Sequence, residues 1–128
     1  MEQHPLLTDI KYLNVPNICF SLTEETDNRE PIYSAQRRLR GFDDSETWSL
    51  TDTICLFILP RLQRFKEINA STPAQLTEKE WNDILDKIII SLQLTCKDRG
   101  LRIWTEEESK QINEGLDLFR EWFMALWW

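Results

Sequence analysis

Leu50, Ile54, Phe57, Ile58, Leu62 and Phe65 recur at spacings of three and four, which places them on one stripe of a helix that opens near Ser49. Ser49 followed by Asp52 fits a reciprocal N-terminal cap. Pro60 falls inside this pattern, where it removes one helical hydrogen bond and crowds the preceding turn, at a cost of about 3 kcal/mol in a regular helix interior. A kink or a break is therefore expected at Pro60, with "RLQRFKEIN" as a second helical piece ending near Asn69.

After the loop "ASTPAQ", the stretch "LTEKEW" carries a full helix-start signature. Thr77 is the cap, Glu80 reaches back three residues later, and Leu76 with Trp81 makes a hydrophobic staple. The helix it opens has Trp81, Ile84, Leu85, Ile88 and Leu92 on one face, with Ile89 and Ile90 widening the stripe toward full burial. Its end is expected near Cys96, before "KDRG", where Lys97 and Arg99 complement the dipole and Gly100 takes the left-handed position. "WTEEE" repeats the capping logic with Thr105 and Glu108. Ile112, Leu116, Phe119, Phe123 and Leu126 then form a helical stripe to the end.

Upstream of Ser49 the period is poor. Pro5, Pro16 and Pro31 interrupt the first 36 residues, and "LTEETDNREP" reads as an acidic turn. "YLNVP" and "NICFSL" are each either a short strand or an extended segment laid over a helical core. "IYSAQRRLRG" reads as a short helix stopped by Gly41. Together these elements predict a small all-α domain of three to four helices, a single unit over residues 1–128, with an irregular leader over 1–36 and a helical core over 37–128. No alternation supports a sheet, and there is no internal repeat.

Composition changes this picture little. At 128 residues the chain suits one core, and its 41% apolar and 29% charged residues are ordinary, although six tryptophans are many. The net charge of −7 argues against direct nucleic-acid binding, which is driven by counterion release from a basic surface. Cys19, Cys55 and Cys96 are odd in number and widely spaced, suggesting neither a disulfide framework nor a zinc site, and a reducing cytoplasm is the natural setting. The N-terminus lacks a basic region followed by an apolar run, and "ICLFIL" and "WFMALWW" fall far short of the ~20 residues of a membrane span, so a soluble protein is expected.

Catalytic chemistry finds few candidates. The single histidine, His4, lies near the terminus, which leaves a serine or cysteine nucleophile without a base. Asp43, Asp44 and Glu46 are adjacent in sequence, and Gly41, Gly100 and Gly115 are isolated rather than part of a phosphate loop. No enzyme activity, cofactor or metal is expected. The stretch "RRLRGFDDSETW" has two readings. In one it is a pair of helix ends, with Arg37, Arg38 and Arg40 at a negative terminus and the three carboxylates at a positive one. In the other, Arg37, Arg38, Arg40 and Trp48, joined by Arg61 and Arg64, bind a phosphate-bearing ligand through guanidinium forks and an aromatic platform. The C-terminal "LFREWFMALWW" offers a further choice. Either the last helix is buried centrally, or Trp122, Phe123, Leu126, Trp127 and Trp128 form a contact surface for a homo-oligomer. A membrane anchor is disfavoured by Glu114, Asp117 and Glu121 on the polar face.

"YSAQRRLRGFDDSETWSLTDTICLFILPRLQRFKE", "LTEKEWNDILDKIIISLQL" and "GLDLFREWFMALWW", in that order, resemble a family of small proteins encoded by tailed bacteriophages. Its pattern runs RGF-acidic-WSL, ILPRL, then EEWxxILD. The resemblance covers about residues 33–128. The pattern more often has the aspartate directly after the leucine, where this chain has Thr51 and Asp52. The resemblance implies a phage origin and a host bacterial cytoplasm. Within that setting the expectation is a non-enzymatic binding protein acting in counter-defence, sequestering either a nucleotide immune signal or a host protein. A virion or assembly component and an acidic nucleic-acid mimic are the alternatives.

Overall fold

The computed structural model describes residues 20–68, 71–97 and 103–127. Four α-helices occur among them, α1 (Glu30–Arg40), α2 (Leu50–Ile68), α3 (Glu78–Cys96) and α4 (Glu106–Trp122), with 3₁₀ turns at Asp44–Thr47 and Phe123–Ala125 and no strand. The domain is all-α, as the periodicity predicts. His4, Cys19, Arg99, Gly100, Trp128 and the "YLNVP" segment lie outside the described residues; of "NICFSL", Phe20, Ser21 and Leu22 are described and are not strand.

Helix α1 corrects the leader boundary, because helix begins at Glu30 rather than after residue 36. Pro31 sits in the first turn, where its fixed φ suits a helix and its missing N–H costs nothing. Gly41 ends the helix at φ 86°, and its N–H donates to the Arg37 carbonyl at 2.9 Å. A side chain is unfavourable at that φ.

Helix α2 runs unbroken from Leu50 to Ile68 through Pro60, so the expected break is absent. Two features offset the proline. Arg61, the next residue, donates from Nη1 to the Phe57 carbonyl at 2.7 Å, an added hydrogen bond next to the Leu56 carbonyl that Pro60 leaves without its helical donor. Cys55 and Leu62 are both buried against α3, on either side of Pro60. Burying a leucine side chain stabilises by roughly 1.5–3 kcal/mol, comparable to the proline cost of about 3 kcal/mol. Packing therefore holds both halves in one helix.

Helix α3 is the centre of the domain, packed on one side by α2 and on the other by α4. Its start follows the expected box: Glu80 N–H donates to Thr77 Oγ1 at 3.1 Å, and Thr77 N–H to Glu80 Oε1 at 3.0 Å. Trp81, Leu85 and Ile88 are fully buried, and Ile89 and Leu92 nearly so. Ile90 is exposed, so the stripe does not widen to full burial. The helix ends at Cys96, with Lys97 already extended.

The stripe expected on α4 is only half covered. Gly115 is the buried residue of this helix, Ile112 and Phe119 are half-buried, and Leu116 faces solvent. A Cβ at Gly115 would lie 2.1 Å from Ser91 Cβ and 2.5 Å from the Lys87 carbonyl oxygen. The backbones of α3 and α4 thus approach as closely as a glycine permits, and Ser91 Oγ donates across the crossing to the Ile112 carbonyl at 2.7 Å. The central position that one of the two readings gave the terminal helix belongs to α3 instead, because a helix seated through a glycine on one neighbour leaves its outer aromatic residues uncovered.

Candidate functional site

The charged stretch from Arg37 to Trp48 folds into a self-contained knot. Asp43 is fully buried and caps the 3₁₀ turn: its Oδ1 accepts from Ser45 N–H at 2.8 Å and Ser45 Oγ at 2.5 Å, and its Oδ2 from Arg37 Nη1 at 2.5 Å. Glu46 closes the box by accepting from Asp43 N–H at 2.6 Å, while its other oxygen accepts from Phe20 N–H at 3.1 Å. Arg37 also bonds Glu30. Arg40 pairs with Asp44 at 2.5 Å, and Gln36 exchanges two hydrogen bonds with Asp44, each 2.8 Å. Burial pushes the Asp43 carboxyl up, but hydrogen bonds from Ser45, Ser21 and Arg37 outweigh it and hold the group below the ordinary carboxylate range. Arg40 first, then Gln36, lowers Asp44.

The six expected ligand residues are not gathered into one pocket. Arg37 and Arg61 line a common cleft, whereas Arg38, Arg40, Trp48 and Arg64 do not. Arg64 pairs with Glu67 at 3.1 Å on the surface of α2. Arg38 is exposed and has no ion pair among the described residues. Trp48 is 52% exposed, but its ring already has the Arg29 guanidinium 5.1 Å from its centroid and packs edge-on against Tyr33. A flat base seeking that platform would compete with Arg29.

The cleft itself is apolar, with a volume of about 980 Å³. Its walls are Phe20, Phe42, Ile54, Phe57, Ile58, Phe119 and Phe123, which include five of the six phenylalanines in the chain. They come from four places: the chain entering α1, the turn after it, the outer face of α2, and the end of α4. Gly41 turns the backbone so that Phe42 reaches this wall, and the knot fixes that turn. The charged lining groups are Arg37, Glu46 and Arg61. Arg37 and Glu46 are committed to the knot. Arg61 is exposed, its guanidinium 3.9 Å from the Phe57 ring centroid.

Reasoning from sequence missed Phe20, Phe42, Ile54, Phe57 and Phe119 as site residues. A signal existed in α2, whose apolar set is two stripes rather than one. Cys55 and Leu62 face α3, and Ile54 and Phe57 face outward; a helix apolar over such a wide arc needs a second cover. The C-terminal set also divides. Trp122 packs edge-on against Trp81 with centroids 5.8 Å apart, and Leu126 packs on the core. Phe123, Met124 and Trp127 are 58%, 84% and 70% exposed.

Among the described residues no three histidine, cysteine or carboxylate side chains converge as a metal site, and no helix is long and apolar enough to cross a membrane. No family model, curated protein or solved structure matches the chain.

Proposed function

We propose that this chain is a non-enzymatic binding protein that seats an apolar segment of a partner protein in the phenylalanine-lined cleft and so sequesters that partner. The observation that carries the reading is the collection of five phenylalanines from distant parts of the sequence around one open cleft of about 980 Å³. Contiguous apolar surface of this kind on a small domain marks an interaction site, and aromatic side chains are what interface cores favour. A nucleotide is the weaker candidate: Arg37 and Arg40 are engaged with Asp43, Glu30 and Asp44, Arg38 lies outside the cleft, and Arg29 occupies the Trp48 ring. The resemblance to small tailed-phage proteins supplies the setting, in which the partner is a bacterial host protein met in the host cytoplasm and the role is counter-defence.

Site-resolved crosslinking tests this. A photoreactive side chain at Ile54, inside the cleft, is expected to trap one defined protein in a bacterial host, whereas the same group at exposed Leu39, which does not line the cleft, traps none. Ile54→Asp in a chain crosslinked from the cleft residue Phe123 should lose the adduct. Equal trapping from positions 54 and 39 refutes the cleft as the binding surface.

A second reading rests on a separate observation. Met124 and Trp127, outside the cleft, form an exposed apolar tail, which suits a homo-oligomeric contact or an assembly role. Sedimentation equilibrium of the wild type against Trp127→Ser decides it: a multimer that the substitution dissociates supports self-association through the tail, and a wild-type monomer rejects it.

A further inference from the structure

Resting on the cleft reading above, we infer that the segment taken by the cleft carries a carboxylate at the border of its apolar face, and that Arg61 recognises it. Every other charge near the cleft has an opposite or a hydrogen-bonding partner. Arg37 holds Asp43 and Glu30, Arg40 holds Asp44, and Arg64 holds Glu67. Both oxygens of Glu46 accept backbone N–H groups. Arg61 lines the cleft with no carboxylate partner among the described residues.

Its guanidinium is nevertheless held in place. The Phe57 ring lies 3.9 Å below it, and Nη1 donates to the Phe57 carbonyl at 2.7 Å. Two contacts fix the plane of the group, and Nε and Nη2 remain as donors toward a ligand. An arginine ordered before binding loses little side-chain freedom when a partner arrives, and its fork matches a carboxylate in two parallel hydrogen bonds. The chain as a whole carries a net charge of −7, so an acidic partner is repelled in general. A single ordered cation in an apolar cleft then selects the register in which the partner's carboxylate meets it.

The test uses fluorescein-labelled amphipathic peptides with a leucine and phenylalanine face, in which one glutamate is walked along the border of that face, each with a glutamine twin. Affinity for the full chain is read by fluorescence anisotropy. In at least one register the glutamate peptide is expected to bind about tenfold tighter than its twin, the effect of one charge-assisted hydrogen bond. Arg61→Gln is expected to erase that preference, so that each glutamate peptide binds no tighter than its glutamine twin, and Arg61→Lys to retain part of it. Glutamine and glutamate peptides binding equally in every register would overturn the role of Arg61 and leave the cleft reading standing. No binding of either series would overturn both. A chain that proves dimeric by light scattering, and that peptides convert to monomer, would assign the cleft to a second copy and overturn the foreign segment.

Discussion

Replacing Asp43 with asparagine tests whether the charged stretch is a structural knot. The fully buried carboxylate accepts from Ser45 through Oδ1 and from Arg37 through Oδ2. Asparagine keeps the first acceptor but turns an amide donor toward the guanidinium. Breaking a buried ion pair by removing one partner costs about 3–5 kcal/mol. Arg37 is a quarter exposed and retains Glu30, so water and the second carboxylate recover part of this, leaving about 2–3 kcal/mol. Helix α1 packs against the 3₁₀ turn that Asp43 caps, so the loss falls on the docking of α1 rather than on the α2–α3–α4 core. Amide hydrogen exchange is the appropriate assay. Protection over residues 30–40 is expected to fall about 30- to 150-fold, the equivalent of 2–3 kcal/mol at 25 °C, while Leu85, Ile88 and Leu92 in α3 keep theirs. Unchanged exchange across α1 would refute the knot. Equal loss in α1 and α3 would show that the two unfold as one unit and refute the separation drawn here.

Two further outcomes follow from the same contacts. Gly115→Ala gains about 1 kcal/mol of helix propensity but forces α3 and α4 apart, because its Cβ would meet Ser91 Cβ at 2.1 Å. A net loss of about 1–3 kcal/mol is expected in urea unfolding, and Ser91→Gly should restore it only in part, since the Lys87 carbonyl at 2.5 Å remains. Acid should open the α1 region first. Asp43 and Asp44 lie below their ordinary value of 3.8 in the folded chain, and the half-buried Asp27 is lowered to about 2 by Arg29. A folded value below the unfolded one gives stability that is complete above the unfolded value and lost as pH falls through the folded one. The α1 amides are therefore expected to lose protection between about pH 4 and pH 2, and loss beginning near neutrality would contradict the assignment.

Local signals with one physical meaning were legible in the sequence. The boxes at Thr77 with Glu80 and Thr105 with Glu108 form as expected, because each pairs an orphan N–H with an acceptor within one turn and needs nothing from the rest of the chain. Gly41 stops α1 for the same reason. The break offered at Pro60 does not occur because a propensity cost of about 3 kcal/mol is local, whereas the burial of Cys55 and Leu62 that offsets it is tertiary. The wide apolar arc of α2 signalled a second cover, but neither what covers it nor the half-covered face of α4 was legible from periodicity, which says that a stripe is apolar and not what packs on it. The cleft is assembled from residues 20 to 123, and no local pattern encodes which phenylalanines meet.

The knot and the cleft are parts of one construction, which bears on why the charged stretch is so dense. A turn between α1 and α2 must aim Phe42 at the cleft wall, and apolar contact alone does not fix one conformation for a turn. Asp43, Ser45 and Glu46 supply the rigidity instead: each buried polar atom among them has a named partner, and a fully satisfied polar network specifies one conformation. The same network reaches Phe20 N–H through Glu46, so a second phenylalanine of the wall is held by the same residues. Arg37 and Arg40 are thus taken up by the carboxylates of the knot, whereas Arg61, whose contacts among the described residues are to Phe57, lines the cleft with no carboxylate. A charged motif in a chain with little other chemistry therefore identifies where the cleft is braced, and the apolar residues that the brace aims are the surface on which the proposed binding rests.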